Sequence, residues 1–172
     1  MGFGDNDMDF RESSGDFIRQ TDGDRGVITV QRAPLKSFSV DASNCPDLFP
    51  ILAVLAAFCQ GTSRLAGVGR LANKESDRAK AILEMLTRMG VKACIEKDEL
   101  VVEGQTLVQR LIGGSLLKGG SYTSHHDHRM VMALKVASLG ADSPVTIDDE
   151  ACVAKSFPQF HDIFTAVARK SL

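Results

Sequence analysis

PDLFPILAVLAAFCQG, residues 46–61, is the stretch from which the rest of the chain can be read. After Asp47, apolar residues run almost without interruption, covering nearly every face of a helix, and Gly61 supplies a stop. Such a helix is expected to be buried. SRLAGV (63–68) then reads as a short strand. The scheme recurs in HRMVMALKVASLG (128–140), an apolar helix ended by Gly140, followed by a strand in PVTID (144–148). Helix, strand and helix thus occur twice, with Gly61 and Gly140 in matching places. This pattern predicts an α/β (α+β) fold of repeated β-α-β-α-β-β units.

The remaining segments fit between these landmarks. Strands are expected at 16–20, 26–31 and 37–41, after a polar, turn-like opening over residues 1–15. LANKESDRAKAILEML (71–86) begins a helix that runs to about residue 89 and stops at Gly90. KACIE (92–96) and ELVVEG (99–104) form a hairpin around Lys97-Asp98, and SLLKG (115–119) is a further strand. SFPQFHDIFTAVARK (156–170) is a helix with Ser156 as N-cap and Phe160, Ile163, Phe164 and Val167 as its face.

At 172 residues and 44% apolar content the chain has enough material for one domain, 1–172. A formal charge of −2 offers no bulk attraction to nucleic acid or a membrane surface. There is no bilayer-length apolar run and no charged-then-apolar leader. Trp is absent and Tyr occurs once, which argues against an aromatic nucleic-acid platform. Cys45, Cys59, Cys94 and Cys152 lie far apart with no CxxC, as expected of reduced thiols in the cytoplasm rather than a zinc site or disulfide framework.

Polar chemistry gathers at helix starts. In the 71–86 segment the apolar stripe Ile82, Met85, Leu86, Met89 extends backwards onto Arg78 and then Glu75, while Asp77, Lys80, Glu84 and Arg88 face water. Charges aligned with a core stripe must be paired, open to a cleft or positioned for a ligand. Asp47 opens the first apolar helix, on a stripe with Ile51, Leu55 and Phe58. Lys74, Glu75 and Arg78 open the second helix, Asp127, His128 and Arg129 the third, and Lys155 precedes the fourth. Cations at a helix N-terminus oppose its dipole, so an incoming anion explains them better than helix stability does. Simpler readings stand beside this one. Glu75 and Arg78 at i, i+3 make an ordinary surface ion pair, Asp47 makes an ordinary cap, and HHDH (125–128) has no distant partner to complete a metal site.

Three blocks carry a family resemblance: NCPDLFPILAVLAAFCQGTSRLAGVGRLANKESDR, DHRMVMALKVAS and AKSFPQF. In order and separation they resemble 5-enolpyruvylshikimate-3-phosphate (EPSP) synthase over roughly residues 40–165. The resemblance implies transfer of the enolpyruvyl group from phosphoenolpyruvate to the 5-hydroxyl of shikimate 3-phosphate, on the way to chorismate and the aromatic amino acids. It implies no cofactor and no metal, glyphosate as an inhibitor, and two domains each of three β-α-β-α-β-β units around a cleft. By position, Asp47 matches an aspartate that contacts shikimate hydroxyls and is a candidate base, and Glu75 the glutamate of proton transfer at the methylene. Lys74 matches a shikimate-contacting lysine, Arg78, Arg129 and Lys155 the cations that hold phosphoenolpyruvate, and His128 a pocket-lining histidine. Arg70 and His126 depart from the family, where Asn is common. The family enzyme is more than twice as long, so the expectation is a partial C-terminal domain, inactive without an N-terminal domain. A non-catalytic anion-binding module, or a transferase with another acceptor, are the alternatives.

Overall fold

A computed structural model of the chain describes residues 18–22, 25–29, 33–71 and 77–170. Its first elements, β1 (Ile18–Asp22) and β2 (Arg25–Thr29), pair antiparallel as a separate two-stranded ribbon. β3 (Ser39–Asp41) then leads through a 3₁₀ turn at Pro46–Leu48 into α1 (Phe49–Ala57), and β4 (Gly61–Ala66) returns parallel to β3. α2 (Arg78–Arg88) and the hairpin of β5 (Lys92–Glu96) with β6 (Glu99–Gly104) complete a four-stranded sheet of order β3-β4-β6-β5. That is one full β-α-β-α-β-β unit. After α3 (Leu107–Gly113), a second unit starts with β7 (Gly120–Tyr122), α4 (His128–Ser138), β8 (Val145–Ile147) and α5 (Phe160–Lys170), with β7 and β8 again parallel.

The two units correspond residue for residue. An isolated parallel bridge precedes each ladder, Lys36 with Gln60 and Leu117 with Ala141. The ladders resume at Ser39 with Arg64 and at Gly120 with Val145. Each position recurs 81 residues on (36 to 117, 60 to 141, 39 to 120, 64 to 145). The repeat preserves even the one extra residue that each returning strand carries between bridge and ladder, a bulge kept in both copies. By the same displacement Asp47 corresponds to His128.

Equivalent helices α1 and α4 pack side by side and parallel. Small residues make this possible: Ala53, Ala56 and Ala57 on α1, and Ala133 and Ala137 on α4, are all buried and let the backbones approach. Phe49, Leu65, Ile82, Leu86, Val102, Met130 and Leu134 fill the rest of the main core, and Val131, Cys152, Val153 and Phe160 form a smaller one under α5. The Lys97-Asp98 turn of the hairpin has a structural task. The Asp98 carbonyl accepts from the N–H of Gly67 and Val68, and its carboxylate accepts from the N–H of Gly69, fixing a 3₁₀ turn at Val68–Leu71. Among the described residues no helix is long and apolar enough to cross a membrane.

Several expectations are corrected. α1 is not buried all round: Ile51 and Leu55 are 36% and 40% exposed because the opposite face supplies the packing against the sheet and α4. They line, with Leu35, Phe58, Leu107 and Leu139, an open apolar groove of about 1100 Å³. The last helix begins at Phe160, not beside Ser156. Ser156 instead closes a 3₁₀ turn, Glu150–Lys155, because Pro158 turns the preceding residue away from helical geometry. In the 115–119 segment only Leu117 pairs, and the strand proper is β7. α3 was not anticipated. Helix α2 starts at Arg78, with the Asp77 carboxylate accepting from the Lys80 N–H at 3.3 Å. Lys74 and Glu75 lie outside the described residues.

Candidate functional site

The stripe of α2 carries Arg78 into the core, where it is 2% exposed. A guanidinium in that position requires partners of opposite charge. Its Nε donates to Asp127 Oδ2 at 2.7 Å, and its Nη1 donates to Asp47 Oδ1 at 2.8 Å. Burial by itself lowers the pKa of Arg78, but the hydrogen bonds to these two carboxylates outweigh it and hold the group above its ordinary value. Asp127 is fully buried and is also the N-cap of α4, its Oδ1 accepting from the Arg129 N–H at 2.9 Å. The Arg129 side chain turns back across the helix ends, placing Nη2 2.8 Å from Asp47 Oδ2. The result is a continuous line of alternating charge: Asp127, Arg78, Asp47, Arg129.

The repeat explains how residues so far apart in sequence meet. α1 and α4 lie in register, so the turn holding Asp47 faces the first turn of α4, where His128 occupies the equivalent position and is 8% exposed. The loop entering α4 is held by Asp148 at the end of β8. Its carboxylate accepts from the hydroxyls of Thr123 and Ser124 and from the N–H groups of Ser124 and Asp149, at 2.6–2.8 Å. Burial raises the Asp148 pKa and is the largest single influence on it, but the hydrogen bonds together outweigh it and hold the carboxyl well below the usual carboxylate range. His125 and His126 follow with φ of 53° and 57°, a left-handed pair. The HHDH histidines spend themselves on neighbours: His126 Nδ1 lies 2.8 Å from Asp149, and His125 Nε2 lies 3.7 Å from Glu84.

Of the residues singled out from sequence, Asp47, Arg78 and Arg129 are thus brought into direct contact, with His128 beside them. Lys155 ends the Glu150–Lys155 turn, exposed, and makes no ion pair with them among the described residues. Asp127 was read only as one of the polar residues opening the third helix, with no partner assigned, and Asp148 was missed. The signal for Asp127 was available, since an Asp directly ahead of an apolar helix is a cap; nothing local marks Asp148. Chemically, two guanidiniums converging on one carboxylate make a cradle suited to a planar carboxylate or a phosphate.

Residues 9–164 match the family model of EPSP synthase (3-phosphoshikimate 1-carboxyvinyltransferase). The 3-phosphoshikimate 1-carboxyvinyltransferase of Methylorubrum extorquens is 38% identical over 166 residues, which is 95% of this chain and 34% of that protein. The Clostridium botulinum enzyme of the same name is 36% identical over 145 residues, 84% of this chain and 31% of that one. Among solved structures, EPSP synthase from Acinetobacter baumannii superposes with a TM-score of 0.73 at 28% identity, over 88% of this chain and 36% of that one. The enolpyruvyl transferase NikO from Streptomyces tendae shares the fold with a TM-score of 0.61 at 16% identity, over 87% of this chain and 32% of that one. The chain spans about a third of the length of the curated relatives it matches. A family model matched from residue 9 to 164, over a charge line that joins both repeats, places the chain in the EPSP synthase family.

Proposed function

We propose that this chain forms the phosphoenolpyruvate-handling part of a 3-phosphoshikimate 1-carboxyvinyltransferase site. In that reaction the 5-hydroxyl oxygen of shikimate 3-phosphate bonds to C2 of phosphoenolpyruvate while C3 gains a proton. Phosphate then leaves C2 as C3 gives up a proton, restoring the enol ether. Two proton-transfer groups are needed, one for the hydroxyl and one for the methylene. Asp47 takes the first role and Glu75 the second; Lys74 contacts the shikimate ligand. Arg78, Arg129 and Lys155 face the phosphoenolpyruvate charges, with His128 lining the pocket. The supporting observation is the convergence of Arg78 and Arg129 on a single carboxylate at 2.8 Å from each. Fixed cations of this kind favour the developing charge of a departing phosphate.

The chain is read as part of a C-terminal domain. The remaining acceptor contacts come from the share of the relatives' length that it does not span. Charged substrates clamped from two sides lose most of their positioning when one side is absent, so the chain alone is expected to show no turnover. A cytoplasmic setting belongs to the same reading, in keeping with four cysteines of which none forms a disulfide. The test is phosphate release from phosphoenolpyruvate and shikimate 3-phosphate, with the chain supplemented by a separately made N-terminal half of a relative. Activity that is glyphosate-sensitive and disappears with Glu75→Gln supports the transferase. Silence from two folded, associated pieces overturns it in favour of an anion-binding module.

A further inference from the structure

Asp47 stands where a ligand anion would have to stand. Each of its oxygens meets a different guanidinium, Oδ1 on Arg78 and Oδ2 on Arg129, both at 2.8 Å, as the oxygens of an incoming carboxylate or phosphate would. We propose that Asp47 is a built-in counter-anion of the arginine pair, displaced when a small carboxylate- or phosphate-bearing ligand binds. The displacement would release the Asp47 carboxylate to face the rest of the site. This inference rests on reading Arg78 and Arg129 as the anion cradle.

Charge balance requires one carboxylate to give way. Among the described residues of the line two arginines face two aspartates, so a further anion added to it would leave an excess of negative charge around a buried guanidinium. Burial decides which carboxylate leaves. Asp127 is fully enclosed, bonded to Arg78 Nε and committed as the cap of α4, so withdrawing it would strand a charge and a helix end together. The Asp47 side chain is 42% exposed and sits on a three-residue 3₁₀ turn in which the residue before the turn makes no side-chain cap. It can swing into water and keep most of its hydration, so its ion pairs are the weaker ones. Arg78, 2% exposed, meets the half-exposed part of the site through the Nη1 that Asp47 covers. Binding and unmasking of the carboxylate are then one event.

The test is calorimetric titration of this chain with phosphoenolpyruvate, and separately with inorganic phosphate, at low salt. Asp47→Asn is expected to bind both anions about 3- to 10-fold more tightly than the parent chain, because the internal competitor has lost its charge. Asp47→Ala should shift in the same direction, with circular dichroism confirming that both variants are folded. Arg129→Gln should abolish binding in either background. Binding that depends on Arg129 but is unchanged or weakened in both Asp47 variants overturns the counter-anion and leaves the cradle standing. No binding by any variant, or binding indifferent to Arg129→Gln, overturns the cradle and the counter-anion together.

Discussion

Arg78 ties three segments together with one side chain, and the consequences of removing its partners should be graded by burial. Arg78→Met would leave Asp127 charged, enclosed and without its main counter-charge, a loss of about 3–5 kcal/mol in urea unfolding. Asp127→Asn keeps a capping oxygen and should cost less, about 1–2 kcal/mol. Asp47→Asn removes a half-exposed partner and should cost under about 1 kcal/mol. A different order would mean that the line of charge is not what holds the helix ends together. Asp148 gives a pH prediction. Its carboxyl is held low in the folded chain by Thr123, Ser124 and Asp149, so the unfolded chain binds more protons in acid. Its stabilising contribution is complete above the unfolded value near ~3.9 and is lost as pH falls through the lower folded value. Melting temperature should therefore fall between about pH 4 and pH 2 by more in the parent chain than in Asp148→Asn. The burial of Arg78 was legible, because the stripe Ile82, Met85, Leu86 points straight back to it. Its bond to Asp127, 49 residues away, was not, since no local pattern records which helix ends the repeat brings together.

At the scale of elements, the end of α1 is built against the end of β6. A Cβ on Gly104 would collide with the carbonyl oxygens of Ala56 and Cys59, backbone atoms that cannot turn aside. Gly104→Ala should destabilise by about 3 kcal/mol, read as a lower urea midpoint with the same slope. α3 shows a signal present but passed over. Thr106 and Gln109 form a reciprocal capping box, and Gly114 closes the helix in the left-handed conformation. TLVQ ahead of an apolar run, then paired glycines, spells those features out. α5 shows the opposite case. Its apolar face was legible from periodicity, but its start was not, because Ser156 satisfies the rule for a cap while Pro158 prevents the helix from beginning there. Periodicity reports which face is buried; the boundary depends on whichever local backbone constraint wins.

Across the whole molecule, the displacement of 81 residues is the organising fact. The recurrence of helix and strand pointed to it, but Gly61 and Gly140 are not equivalent positions, since the displacement pairs Gly61 with Asp142 and Gly140 with Cys59. The pattern of apolar residues alone did not reveal the side of α1 that faces outward, because Ile51 and Leu55 are as apolar as the residues they would be taken to join in the core. The groove they line should bind an apolar fluorophore. Leu55→Lys with Leu139→Lys is expected to lower 8-anilinonaphthalene-1-sulfonate fluorescence while changing stability by no more than about 0.5 kcal/mol per site. At the far end of α1 from Asp47, Arg110 is 3% exposed and donates to the carbonyl oxygens of Ala57 and Ser115, at 3.1 and 3.0 Å. Burial lowers its pKa, and no carboxylate pairs with it among the described residues. Dissolved ions weaken attraction between charges that water can reach, but they have no access to a cation sealed onto peptide dipoles. Rising ionic strength should therefore loosen the Asp47 end of the helix pair and leave the Arg110 end untouched. The molecule has one pole that responds to electrolyte and one that ignores it.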